Sequence, residues 1–188
     1  MLIAFNKPYG VLSQFTSEGP DDRTLAAFNF PPRVYPLGRL DMDSEGLLLL
    51  SDEPQLNERL LHPRHGHRRL YWTQVERVPN AAALSALARG PLVQGRKTLP
   101  CRAWVLDPQP DVPPRDPPIR FRKNVPTTWL ALELAEGKNR QVRRMTGAIG
   151  HPTLRLIRMQ IGEYRLPESL GPGFWQELTE ADRKRALA

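Results

Sequence analysis

Arg39, Asp41, Asp43 and Glu45 stand at alternate positions just ahead of four consecutive leucines, residues 47–50. In an extended segment this spacing puts all four side chains on one side. Grouped carboxylates can act as a base or a nucleophile, or they can hold a cation. Zinc is a poor fit, because no histidine lies nearby to complete a site. Magnesium suits the oxygens but is opposed by the adjacent Arg39. On residue type alone, a solvated acidic loop is the plain alternative.

A second constellation is EGKNRQVRRM, residues 136–145. A glycine leading into a helix start rich in Lys and Arg is a ready phosphate site, although a basic solvated helix face reads the same way. Residues 137–165 hold Lys138, Arg140, Arg143, Arg144, Arg155, Arg158 and Arg165 against Glu163 alone. That stretch supplies most of the formal net charge of +7. A basic balance suits a polyanionic partner. A carboxylate cluster would repel such a partner, so the acidic segment makes better sense if one carboxylate does chemistry. Arg69, Tyr71 and Trp72 could form a stacking surface, with burial in the core as the competing reading. His62, His65 and His67 sit in a Pro/Gly/Arg loop without carboxylates, so no metal site is expected there.

Several elements must position these groups. Residues 2–6 read as a strand ended by the turn Lys7-Pro8-Tyr9-Gly10. Residues 17–36 read as a long loop with one helical turn at 24–28. The leucine run predicts a strand buried on both faces, followed by a helix from Pro54 through Leu61. Residues 69–76 alternate as a strand does. Asn80 caps a helix that stops at Gly90. Short strands are expected at 92–93 and 102–106. Seven prolines make 107–127 an irregular loop. In the strand 129–134, Leu130, Leu132 and Leu134 share one face. Val142, Met145 and Ile149 give the next helix one buried stripe, with Arg140 and Arg144 together on another face. Residues 154–161 form the last strand, with a slip at Leu156-Ile157 in the manner of a bulge. Strands and helices mix without regular alternation, which predicts an α+β fold with a mainly antiparallel sheet.

The chain has 188 residues, enough for one domain or two small lobes. Cys101 is the only cysteine, so no internal disulfide can form. The apolar run at the start is too short for a signal peptide, and no stretch reaches membrane-spanning length. A cytoplasmic protein with no membrane partner is expected.

Taken together, the segments resemble the RsuA-like family of bacterial ribosomal RNA pseudouridine synthases. GRLDMDSEGLLLLSDE is similar to the family's signature and EGKNRQVRRMTGAIGHPTLRLIRMQIGEY to its last motif. FNKPYGVLSQFT is similar to its first strand and turn, and RRLYWTQVERV to its tyrosine-bearing strand. Order and spacing agree over nearly the whole chain. The Ser-Glu-Gly after the signature and the loop PPIRFRKNVPTTWL favour the branch acting on large-subunit ribosomal RNA. Many relatives have a threonine at the place of Ser44.

The resemblance implies a bent, mainly antiparallel mixed sheet flanked by helices around a central cleft. It also implies an isomerase with neither metal nor cofactor. Asp41 would be the catalyst rather than Asp43, Arg143 its basic partner, Tyr71 the residue against the uracil, and Arg39 the wedge behind a flipped-out uridine. Lys138, Arg140, Arg144, Arg155 and Arg158 are the expected RNA contacts. Many relatives carry a small RNA-binding domain first. Here residues 1–188 are expected to be one catalytic domain of two sublobes, acting as a monomer on ribosomal RNA, free or within an assembly intermediate. The competing readings are a non-catalytic ribosome-assembly factor, which needs no convergence on Asp41, and a nucleoside hydrolase, which would release free uracil.

Overall fold

A four-leucine run leaves no polar face, so the strand that carries it must be covered on both sides. In the computed structural model, which describes residues 1–61, 66–120 and 122–188, that strand is β3, Glu45–Ser51, buried at all seven positions. It begins two residues before the leucines, at Glu45. Strand β1, Leu2–Lys7, lies antiparallel to it and pairs Leu2 with Ser51 and Lys7 with Gly46.

The chain divides into two compact units, residues 1–69 with 157–188, and residues 70–156. In chain order the first holds β1, β2 (Tyr35–Pro36), β3 and α1 (Gln55–Leu61). The second holds all but the first residue of β4 (Arg69–Glu76), then α2 (Ala81–Ala88), β5 (Leu92–Val93), β6 (Arg96–Lys97), β7 (Arg102–Val105), β8 (Thr127–Leu134) and α3 (Gln141–Ala148). Strand β9, Thr153–Ile161, starts in the second unit and ends in the first. The first unit closes with β10 (Tyr164–Arg165), β11 (Trp175–Glu177) and α4 (Glu180–Ala186). Strand order is β11-β1-β3-β9 in the first unit and β9-β4-β8-β7 in the second, with β5 and β6 as a separate hairpin. The β3–β9 pair is parallel, whereas β1–β3, β1–β11 and β7–β8 are antiparallel. The fold is therefore α+β, mixed and mainly antiparallel.

In the first unit, Leu47 and Leu49 join Leu56 and Leu60 of α1 and Ala186 and Leu187 at the end of α4 in one buried cluster. On β1, Phe5 meets Phe28 and Phe30 at 4.8 and 5.0 Å between ring centroids. Each leucine so buried contributes about 1.5–3 kcal/mol. Gly46 fixes how closely β3 meets β9. It sits at φ +99°, and a β-carbon there would lie 2.4 Å from the Arg158 carbonyl oxygen. Only glycine permits that approach.

In the second unit, β4 and α2 form where alternation and capping place them, and the Asn80 side chain accepts from the Ala83 amide. Strand β8 is buried at every position from Thr128 through Leu132, on both faces. Two expectations need correction. Arg140 is not on the helix with Arg144; it is the N-cap of α3, at φ +50°. Strand β9 is not the last element. Its apolar phase slips because residues 155–158 are all buried, the two arginines among them included. Cys101 donates to the Leu87 carbonyl at 3.4 Å, and burial, aided by Glu136, pushes its thiol up to about 11. No described helix is long and apolar enough to cross a membrane.

Candidate active site

The segment 39–45 is not extended. Ser44 N–H donates to the Asp41 carbonyl at 3.0 Å, closing a β-turn over residues 41–44, so the backbone here does not follow the strand geometry that the alternation assumed. The turn interrupts the alternation because β3 starts only at Glu45.

The backbone is gripped on both sides of Asp41. On one side, the Ser13 hydroxyl donates to the Leu40 carbonyl at 2.7 Å and accepts from the Leu40 amide at 3.0 Å. On the other, the Met42 carbonyl accepts from the Gly10 amide at 2.8 Å and from Lys7 Nζ at 3.4 Å. Lys7 Nζ also donates to the carbonyls of Val11 at 2.7 Å and Pro8 at 3.1 Å. Lys7 is fully buried at the end of β1. Burial lowers its pKa from 10.5 to about 8, against the opposing pull of Glu45, Asp43 and Asp41, while Arg158 adds to the lowering. The sequence places Lys7 only in a turn; its function shows once β1 pairs with β3 and carries the ammonium under residues 41–44. Asp41 itself is half-buried, and the exposed Arg39 donates to Gln14 Oε1 at 3.0 Å.

In the second unit, Tyr71 is buried on β4 and Arg143 is half-buried on α3. A chain of hydroxyls joins their elements. Thr73 and Thr153 meet at 3.1 Å, Thr153 and Thr146 at 2.7 Å, and Thr146 donates to the Arg143 carbonyl at 3.2 Å. Since each hydroxyl has one proton, the order is fixed: Thr73 donates to Thr153, Thr153 to Thr146, and Thr146 to the Arg143 carbonyl. Thr73 and Thr146 are fully buried. Three threonines scattered through the sequence thus tie the tyrosine strand to the arginine helix, and no spacing rule would have found them.

The remaining basic residues are placed unequally. Lys138 is exposed and pairs with Glu136 at 3.4 Å; Arg140 is exposed at the start of α3. Arg144 donates to Gln94 Oε1 and Asn139 Oδ1, each at 2.8 Å. Arg155 and Arg158 are buried, at 7% and 4% exposure, and donate to the carbonyls of Pro113 and Leu47, each at 2.7 Å. Arg39, Asp41 and Arg158 belong to the first unit and the other candidates to the second. No group of three or more His, Cys, Asp or Glu among the described residues could hold a metal ion, and His62 and His65 lie outside those residues.

Residues 1–148 match the family described as RNA pseudouridylate synthase, and the chain belongs to that family. Within it, the chain is 54% identical over 173 residues to a ribosomal large subunit pseudouridine synthase E from Xanthomonas axonopodis pv. citri, covering 92% of this chain and 90% of that protein. It is 36% identical over 186 residues to a ribosomal large subunit pseudouridine synthase B from Bacillus subtilis, covering 97% of this chain and 70% of the relative. A crystal structure of a pseudouridylate synthase superposes with a TM-score of 0.81 at 27% identity, covering 98% of this chain and 73% of that one.

Proposed function

We propose that this enzyme converts one uridine of large-subunit ribosomal RNA to pseudouridine, with Asp41 as its catalytic carboxylate. The relatives named for the large subunit support the substrate. The residue is supported by the grip on the backbone at Leu40 and Met42, which is the observation that carries the reading. A group so held is set in place before substrate arrives, as efficient chemistry requires.

The bond between uracil N1 and ribose C1′ breaks, the base turns, and C5 bonds to C1′. The C5 proton leaves and N1 takes one up, so atoms balance and nothing is oxidised. The sugar left by the departing base is electron-poor, and an ionised carboxylate serves there as nucleophile or base. The family resemblance supports Arg143 as the basic partner of that carboxylate. Tyr71 lies against the uracil. Flipping the base costs a few kcal/mol, which the Arg39 wedge and the Tyr71 contact offset. Lys138, Arg140 and Arg144 contact phosphates. Arg155 and Arg158 act differently: buried and bonded to carbonyls, they position backbone.

The test is Asp41→Asn on unmodified ribosomal RNA. Turnover is expected to vanish while RNA affinity stays close to wild type, and no free uracil should appear with either protein. Substantial pseudouridine from the purified variant would sink the assignment. Mapping pseudouridines in a strain lacking the protein should show one large-subunit position lost.

A further inference from the structure

Strands β5 and β6 form a hairpin that pairs Leu92 with Lys97 and Val93 with Arg96. Its loop, Gln94-Gly95, has φ of +50° and +75°. Two positive φ values define the tight hairpin turn that matches strand twist, so the tip is rigid. Arg144 of α3 locks it further: one guanidinium fork holds Gln94 on the hairpin and Asn139 ahead of the helix. Beneath, the buried Gln141 accepts from the Lys138 amide at 2.9 Å and donates to Glu136, whose carboxylate also takes the Leu99 amide at 2.8 Å.

Between hairpin and helix lies a cavity of about 310 Å³. That is the low end of small-ligand sites, roughly 300–1,000 Å³, and is room for one nucleotide. Its lining includes Arg96, Lys97, Lys138 and Arg144 and no carboxylate. Glu136 already offsets Lys138, whereas among the described residues neither Arg96 nor Lys97 is in an ion pair. The oxygens of Gln94 and Asn139 are taken by Arg144, which leaves their NH₂ groups as donors. Positive charge together with amide donors suits a phosphate joined to a carbonyl-bearing base edge. Neither Tyr71 nor Arg143, in the same unit, lines the cavity.

We propose that this cavity holds one unstacked nucleotide of the RNA substrate other than the target uridine, with its phosphate on Arg96 and Lys97 and its base beside Gln94 and Asn139. The site would then help select which uridine is modified. The inference rests on the reading that the substrate is RNA.

The test combines binding and mapping, with the whole protein and ribosomal RNA. Arg96→Gln/Lys97→Gln should weaken RNA binding and make the log–log salt slope shallower by about 0.7–0.9, the loss of one phosphate contact. Arg96→Lys should restore half or more of that loss. A photoactivatable residue at Leu92, exposed beside the cavity, should cross-link to one nucleotide at a fixed distance in sequence from the modified uridine. An unchanged slope, or cross-links scattered along the RNA, would overturn the proposal. Displacement of the cross-link by micromolar uridine monophosphate would also overturn it, in favour of a free nucleotide ligand. Wild-type turnover on the same RNA separates the failures: with no pseudouridine the functional reading falls, and with normal product and an indifferent variant only the cavity proposal falls.

Discussion

Lys7 spends a buried charge to organise one turn. Its carbonyl partners are fixed by β1 and the residues after it, so removing the donor frees the backbone beside Asp41. Lys7→Met keeps the apolar stem and is expected to lower turnover about a hundredfold, the scale of a 1 Å misplacement. Its stability effect depends on pH. A lysine whose pKa falls from 10.5 to about 8 on folding binds its proton more tightly unfolded, so between about 8 and 10.5 folding stability rises with pH. Below about 8 the penalty is fully present. Wild type should therefore gain stability relative to Lys7→Met as pH rises from 8 to 10.5, measured by urea unfolding. A constant difference would show that the buried ammonium carries no such cost. This residue was not legible in advance because a lysine in a Lys-Pro turn reads as exposed. Asp41 is proposed through the signature around it, not through its own chemistry: the alternation assumed an extended segment, and residues 41–44 form a turn instead.

At the scale of elements, the hydroxyl chain from β4 through β9 to α3 carries the second prediction. Thr153→Val keeps the shape but takes away a donor and an acceptor, leaving the buried Thr73 and Thr146 each short of a partner. The expected cost is about 1–3 kcal/mol. Turnover should fall beyond what the unfolded fraction explains, because Tyr71 and Arg143 ride on the joined elements. Thr153→Ser should recover most of both losses; failure of that rescue would assign the effect to packing. Another joint lies between α4 and the segment after β3, where both Arg183 forks meet Glu53 at 2.6 Å. Those bonds, then the chain's own amino group, lower Glu53 from 4.5 to about 2. Its contribution is present above 4.5 and is lost as pH falls through that value toward 2. Arg183→Ala should cost about 1 kcal/mol at neutral pH, typical of a good surface pair, and almost nothing near pH 2. Strands and helices with a full period or a cap were legible: β4, α2 and the leucine strand stand where pattern placed them. Strand β5 stands at residues 92–93 as expected, but β6 and β10, of two residues each, are too short to show a period, so the turn that shapes the cavity was missed.

Over the whole molecule, charge and composition foretold a polyanion partner but not how the basic residues divide. Lys138 and Arg140 are exposed, while Arg155 and Arg158 are enclosed and bonded to backbone. Association with RNA should weaken log-linearly with salt, by about 0.7–0.9 per phosphate contact, and Arg158→Gln should destabilise the fold while leaving that slope unchanged. A slope altered by Arg158→Gln in folded protein would return that residue to the binding surface. The quiet thiol of Cys101 has a practical consequence. With a pKa near 11, about one molecule in a thousand is ionised at pH 8, against about a quarter for an exposed cysteine. A cysteine introduced on the surface of either unit can thus be labelled selectively with the natural one left in place. Paired fluorophores, one on each unit, then become a ruler for the enzyme in solution, read before and after RNA is added.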